Sequence, residues 1–272
     1  MSSVQTDPDH GDDFLHGGGY RRASEDRMNE QAEVARELTA TMRGVPPEQV
    51  PARLCAACPR LLPVSGASIS VVSGGDVRIT LCATDNVAAE LAELQYTLGE
   101  GPCLQAGALA APVFAPDLLG GPDPQRWPMF ARQAVQKGVE AVFSMPLGTA
   151  TTALGTLDLY STKTGALSAA KVRTALMIAD AVTLVVLGMN HDQPVGPDET
   201  ARWLETAEAG HEEVHQAVGM VMVQLDLSAE DALARIRARA FALGRTATEI
   251  ARDIIDRRIA FHDSDSGLGT GD

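Results

Sequence analysis

Aromatic residues make up only 4% of the 272-residue chain, so its cores must be assembled from Ala, Val, Leu and Ile. Histidine is missing where it would count. All six (His10, His16, His191, His211, His215 and His262) lie outside Met28–Val186. A His-ligated haem or a histidine–zinc site built within that stretch is thereby excluded. No Gly-rich phosphate cradle ending in Lys-Ser/Thr is present. Long apolar runs are also lacking: Ala179–Met189, the longest candidate, falls far short of the roughly 20 residues of a membrane helix. Met1–Asp13 is polar and acidic, unlike a secretory leader, so a cytoplasmic location without membrane contact is expected. Positive charge is in deficit as well. The 22 Lys and Arg face 36 Asp and Glu, a net −14, which argues against generic phosphate binding.

What remains is enough to fold. The 45% hydrophobic content supports packed cores, and the length suits one large or two ordinary domains. Residues 1–26, with Gly17-Gly18-Gly19, are expected to be a disordered tail, and so are residues 262–272. Val34, Leu38 and Met42 fall at helical spacing over Met28–Met42. Pro46-Pro47 ends that helix and opens a second one through Leu54. Ala67–Val72 and Val77–Cys82 alternate around Ser73-Gly74-Gly75-Asp76, a hairpin pattern. A helix over Asn86–Gln95, capped by Asn86, precedes Gly99-Glu100-Gly101-Pro102-Cys103, which reads as a non-helical turn. A Pro-rich loop over Pro112–Pro124 then leads to a short helix, Trp127–Lys137. Strands follow at Ala141–Pro146 and Ala153–Tyr160, then a long helix capped by Ser168. That order gives an α+β fold with an antiparallel sheet flanked by helices. A Pro/Gly linker, residues 191–198, closes the domain of residues 27–190.

Residues 199–261 read as three capped helices. Trp203, Ala207, Gly210, Val214, Ala217, Val221 and Leu225 form a near-heptad seam on the first. Bundle packing and a dimer seam are both open for its N-terminal half, whereas the Gly219 end suits close packing within the chain. Ser228 with Asp231, and Thr246 with Glu249, are capping signals, and Gly244 fits the stop of the second helix. Between Leu233 and Arg252, five Arg (Arg235, Arg237, Arg239, Arg245, Arg252) stand against one acid, Glu249. The local balance is +4. Arg235 and Arg239 share one helix face, while Arg237 points about 160° away at ~100° per residue.

Ala217-x-Gly219-x-x-Met222, then Ala232, Ile236-Arg237 and Ala240, then Ile250-Ala251, resemble the ANTAR domain, an RNA-binding three-helix module of transcription antiterminators. The upstream element order, with Gly99-Glu100-Gly101-Pro102-Cys103, resembles a GAF sensor domain, as in actinobacterial GAF–ANTAR proteins. The resemblance implies a signal-responsive RNA-binding antitermination regulator, a homodimer, whose targets are RNA hairpin loops. The five arginines are the implied RNA contacts, since guanidinium planes stack on and hydrogen-bond loop bases. Val218 and His211 stand where the family is commonly basic. That departure keeps open a second reading, an interaction protein whose helices dimerise without binding RNA.

An enzyme is not expected, because Asp158 and Glu100 have no His or nucleophile beside them. No cofactor is implied. An unknown small molecule or a redox change is the expected signal. The cyclic-nucleotide motif of GAF domains is absent. Trp127, Met129, Phe130 and Phe143 are candidates to line a ligand pocket, or else core. Cys55-Ala-Ala-Cys58 sits on a helix and is open to three readings: buried packing, a reversible disulfide, or half of a metal site.

Overall fold

A computed structural model of the chain describes residues 17–73, 77–149, 152–191 and 212–261. Five strands, β1 (Gly66–Ser73), β2 (Val77–Ala83), β3 (Val113–Ala115), β4 (Ala141–Gly148) and β5 (Ala153–Ser161), form one antiparallel sheet in the order β2-β1-β5-β4-β3. The period-2 alternation divides its two faces sharply. Ala67, Ile69, Val71, Phe143, Met145, Leu157 and Leu159 join one apolar core with α1 (Gly17–Met42), α2 (Val50–Leu61) and α7 (Ala169–His191). Many of the intervening residues are polar and still buried, namely Ser68, Ser70, Arg78, Ser144, Thr156 and Asp158, while Val142 and Tyr160 keep the β4–β5 end of that face apolar. They lie beneath α3 (Asn86–Leu98) and α4 (Pro102–Leu109), beside a second core that includes α6 (Pro128–Gln136); a four-residue α5 (Asp123–Arg126) precedes α6. The α+β class expected from the sequence therefore holds.

Several expectations need correction. Helix α1 begins at Gly17, inside the segment read as a tail, because a run of three glycines lowers helix propensity without forbidding the conformation. After a 3₁₀ turn at Pro47–Gln49, α2 runs on to Leu61. The cap of α3 is Asp85, whose carboxylate accepts from the Ala88 amide at 2.9 Å, one residue before the expected Asn86. Strand β3 lies in the Pro-rich stretch read as loop; it is a short edge strand paired only with β4.

The Gly-Glu-Gly-Pro-Cys stretch is not wholly a turn either, since Pro102 and Cys103 open α4. Proline is tolerated at a first helical position because its missing N–H would be unpaired there anyway. Each residue before it has a task. Gly99 closes α3 in the left-handed region at φ 67°, and the Glu100 carboxylate caps α6 by accepting from the Met129 and Phe130 amides at 2.7 Å. Gly101, at φ 141°, sits where a Cβ would collide with the Gln95 side chain. That side chain accepts from the Cys103 amide at 2.9 Å.

Candidate nucleic-acid interface

The C-terminal trio comprises α8 (Glu212–Leu225), α9 (Ala229–Leu243) and α10 (Ala247–Ile255). Its start and stop signals work as read. Ser228 accepts from the Asp231 amide, Gly244 adopts the left-handed conformation at φ 63°, and Thr246 with Glu249 completes a capping box. Val214, Ala217 and Val221 are fully buried against Ile236, Ala240, Ile250 and Ile254, so the described half of the seam packs within the chain. Trp203, Ala207, Gly210 and His211 lie outside the described residues. Gly219 does not serve close packing: it is exposed, and a Cβ there would meet nothing within 4 Å. Val218 packs half-buried against the trio core, which gives a physical reason for an apolar residue there.

One wall of this core comes from outside the trio. Tyr96 of α3 is 2% exposed and sits among the trio's buried side chains. Beside it, the Ala247 amide donates to Thr97 Oγ1 at 3.0 Å, and Thr248 Oγ1 donates to Glu93 Oε1 at 3.0 Å. The first of these satisfies one of the amides that every helix leaves without an internal partner at its N-terminus. The trio is thus docked on α3 through a ring, a backbone cap and a hydroxyl–carboxylate bond. Burial pushes the Tyr96 phenol up to about 12, although the Arg237 charge pulls the other way.

The five candidate arginines fare differently. The Arg237 guanidinium lies over the Tyr96 ring, 5.1 Å from its centroid, at the docking contact itself. Arg245 is held by Asp253 at 2.6 Å, with Glu249 at 3.8 Å. Arg252 pairs with Glu213 at 2.9 Å, and that partner raises its already high pKa. Asp253 titrates below the ordinary carboxylate range because Arg245 and Arg258 donate to it. Two of the five charges are therefore matched by carboxylates that lie outside the Leu233–Arg252 window. Arg235 is half-buried and Arg239 exposed; among the described residues neither takes part in an ion pair. As the helical spacing requires, they share a face of α9 away from Arg237.

The sensor-side candidates separate likewise. Trp127 and Phe130 are buried in the core beneath α3, Phe143 is in the core on the opposite face of the sheet, and Met129 is half-buried. These four do not line one pocket. Cys55 and Cys58 are free and buried on α2, bonding through Sγ to the Ala67 and Leu54 carbonyls. The neighbour that perturbs Cys55 most is Cys82, not Cys58; its hydrogen bond, with burial, pushes the Cys55 thiol far up. Burial raises Cys58 to about 12. A raised pKa leaves little thiolate at neutral pH, so neither thiol is an activated nucleophile.

Behind α3 the polar side of the sheet forms a connected set. Arg78 donates to Thr156 Oγ1 and to the Cys103 carbonyl at 3.0 Å each, and Thr156 donates to Asp158 at 3.0 Å. Strand register places Ser68, Asp158 and Ser144 in one row across three strands. Burial raises the Asp158 pKa, against the pull of Ser144, Arg78 and Thr156. A cavity of about 10 Å³ lies beside this row, room for no more than a water molecule.

Comparison with known proteins assigns the trio. By its family model, residues 202–255 carry an ANTAR domain. None of the curated proteins matches the chain. Solved structures similar to the chain include a GAF domain of a phosphoenolpyruvate-protein phosphotransferase from Coxiella burnetii (14% identity, 61% of this chain and 96% of that one, TM-score 0.44). A domain of a putative two-component sensor histidine kinase from Sinorhizobium meliloti is similar at 18% identity, covering 53% and 92%, with TM-score 0.43. A type II free methionine-R-sulfoxide reductase from Thermoplasma acidophilum, an enzyme, is similar at 18% identity, covering 52% and 95%, with TM-score 0.37. The likenesses are loose, and the chemistry of the ANTAR face rests on this chain's own residues. No described helix is long and apolar enough to cross a membrane.

The residues that sequence reasoning missed are Glu93, Tyr96 and Thr97, which carry the ANTAR domain. The expected helix stopped at Gln95. Gly99, in the position of a helix stop, was the signal that extends it through Tyr96.

Proposed function

We propose that the protein is a cytoplasmic, homodimeric regulator of transcription antitermination that binds RNA hairpin loops through α9 and is controlled by its GAF-like domain. An ANTAR domain behind such a fold is the composition of a regulator. The observation that carries the finer reading is the Arg237–Tyr96 stack. An arginine matching the family's motif is covered by the sensor, while Arg235, half-buried, and Arg239, exposed, lie on the far face of α9. Helix α3 links the two domains. Its inner side covers Asp158 and its outer side holds the trio, so a signal that displaces α3 changes docking by its differential affinity for the two arrangements. Leu184, 71% exposed on α7, offers apolar surface to a second copy.

A second reading has its own support: Arg245 and Arg252 are matched by acids, as a pure interaction module would have them. Affinity for a library of randomised-loop hairpin RNAs, measured at several salt concentrations, separates the two. Under the first reading, Arg235→Ala/Arg239→Ala weakens binding at least tenfold and lowers the salt slope by roughly 1.5. Tyr96→Ala, which removes the ring lying against Arg237, strengthens it. Absence of salt-dependent binding in both the parent chain and the Tyr96→Ala chain rejects the first reading.

A further inference from the structure

The seam between the two domains holds an open space much larger than the cavity beside Asp158. A cleft of about 420 Å³ opens between α3, α6 and the α9–α10 turn, within the range that holds small organic ligands. We propose that this cleft binds a zwitterionic amphiphile of amino-acid to dipeptide size with an aromatic side chain, and that the bound molecule holds the ANTAR domain against the sensor.

The composition of the walls points to that class. Leu94 and Leu98 supply an apolar floor from α3, and Phe241 supplies a ring from α9. Phe241 lies beside, not on, the buried stripe of Ile236 and Ala240, and it is 50% exposed. Packing of the trio therefore leaves this ring with surface to offer, and an aromatic ligand would cover it by stacking. Charge on the walls is balanced and already partly engaged: Glu90 pairs with Lys137, Glu93 accepts from Thr248, and Arg245 is held by Asp253. In a chain of net charge −14, that balance is local. A simple anion would meet two carboxylates, and a simple cation would meet an ammonium and a guanidinium. A molecule carrying both charges can set each of its ends beside a wall group of opposite sign, Lys137 and Glu90 among them. Lys137 pairs with Glu90 at 2.5 Å, which engages one of the three donors of an ammonium and leaves two for a ligand carboxylate. Thr97, Gln133 and Thr246 add hydrogen-bonding groups.

The walls belong to two domains, so the site is complete only while they are docked. A ligand that touches both walls binds the docked arrangement more tightly and shifts the equilibrium towards it. Binding itself is independent of any RNA activity; only its effect on RNA rests on the function proposed above.

Calorimetric titration of the full chain with L-leucyl-L-tryptophan tests the site, with tryptamine and indole-3-propionate as single-charge controls. The expected result is saturable dipeptide binding in the micromolar to low-millimolar range, at least tenfold tighter than either control. Phe241→Ala and Lys137→Ala, both at exposed positions, each weaken it at least tenfold, and Tyr96→Ala does the same by parting the walls. Circular dichroism confirms that each variant is folded. Absent binding, indifference to Phe241→Ala and Lys137→Ala, or equal affinity for a control overturns the proposal. Saturable binding that leaves RNA affinity unchanged supports the site and overturns the regulatory reading.

Discussion

The two sides of α3 are built on opposite principles. Its inner side, through Ala88, Leu91 and Gln95, covers a sheet whose buried polar row is tied together by Arg78, Thr156 and Asp158. Its outer side presents one ring, Tyr96, flanked by Glu93 and Thr97, to the apolar core of the ANTAR domain. The inner contact is continuous with the sheet and is part of the sensor's fold. The outer contact joins two units that each have a core, and because Tyr96 is one wall of the trio's, opening it loosens the ANTAR domain before the sensor. A single helix thereby connects a region where charge is buried to one where charge is displayed.

The strongest way to break this contrast is Tyr96→Ala. Truncating a fully buried aromatic costs about 3–5 kcal/mol when its surroundings cannot collapse into the space. On the outer side that cost falls on docking. The expected outcome is a two-step thermal unfolding curve, the ANTAR domain melting first, with the sensor transition little moved. Loss of both transitions together would mean that the two sides of α3 form one cooperative unit.

Asp158→Asn probes the inner side, and its sign is worked out from burial. Asp158 has a folded pKa raised above its unfolded value, which is about 3.9. Stability linked to the neutral carboxyl is fully present below that unfolded value and is lost as pH rises through the folded one. Denaturation of parent and variant at pH 4 to 8 should therefore diverge with pH. The variant gains relative stability at the alkaline end, while RNA affinity per folded molecule stays constant. A difference in stability that does not change with pH would show that Asp158 is not held at a raised pKa.

Much of the fold was legible, and the failures have physical reasons. Paired strands at Ala67–Val72 with Val77–Cys82, and at Ala141–Pro146 with Ala153–Tyr160, follow from alternation, and the trio's caps follow from local hydrogen bonding. Strand β3, only three residues long, has too few side chains to show a period. Helix α4 was hidden by Pro102, read as a breaker where it is an opener. The candidate site was legible in its residues and not in their partners. A charge count along the chain cannot see Glu213, which reaches Arg252 from 39 residues away, nor Tyr96, which meets Arg237 across the domain boundary. A period of 3.6 says which face of a helix carries an arginine, and tertiary contact decides what covers it.

Thr97→Val is the smallest change that sharpens the comparison, because valine keeps the shape of threonine and removes only the hydroxyl. The Ala247 amide then loses its acceptor while still buried, at a cost of about 1–2 kcal/mol. Because this amide opens α10, the loss is felt at the outer contact: amide hydrogen exchange should quicken at the start of α10 and remain unchanged in the strands. Since the guanidinium of Arg237 is uncovered whenever the contact opens, RNA affinity should rise about fivefold or more, less than for Tyr96→Ala. Faster exchange throughout the sheet would place Thr97 in the sensor's own cooperative core and erase the difference between the two sides of the helix.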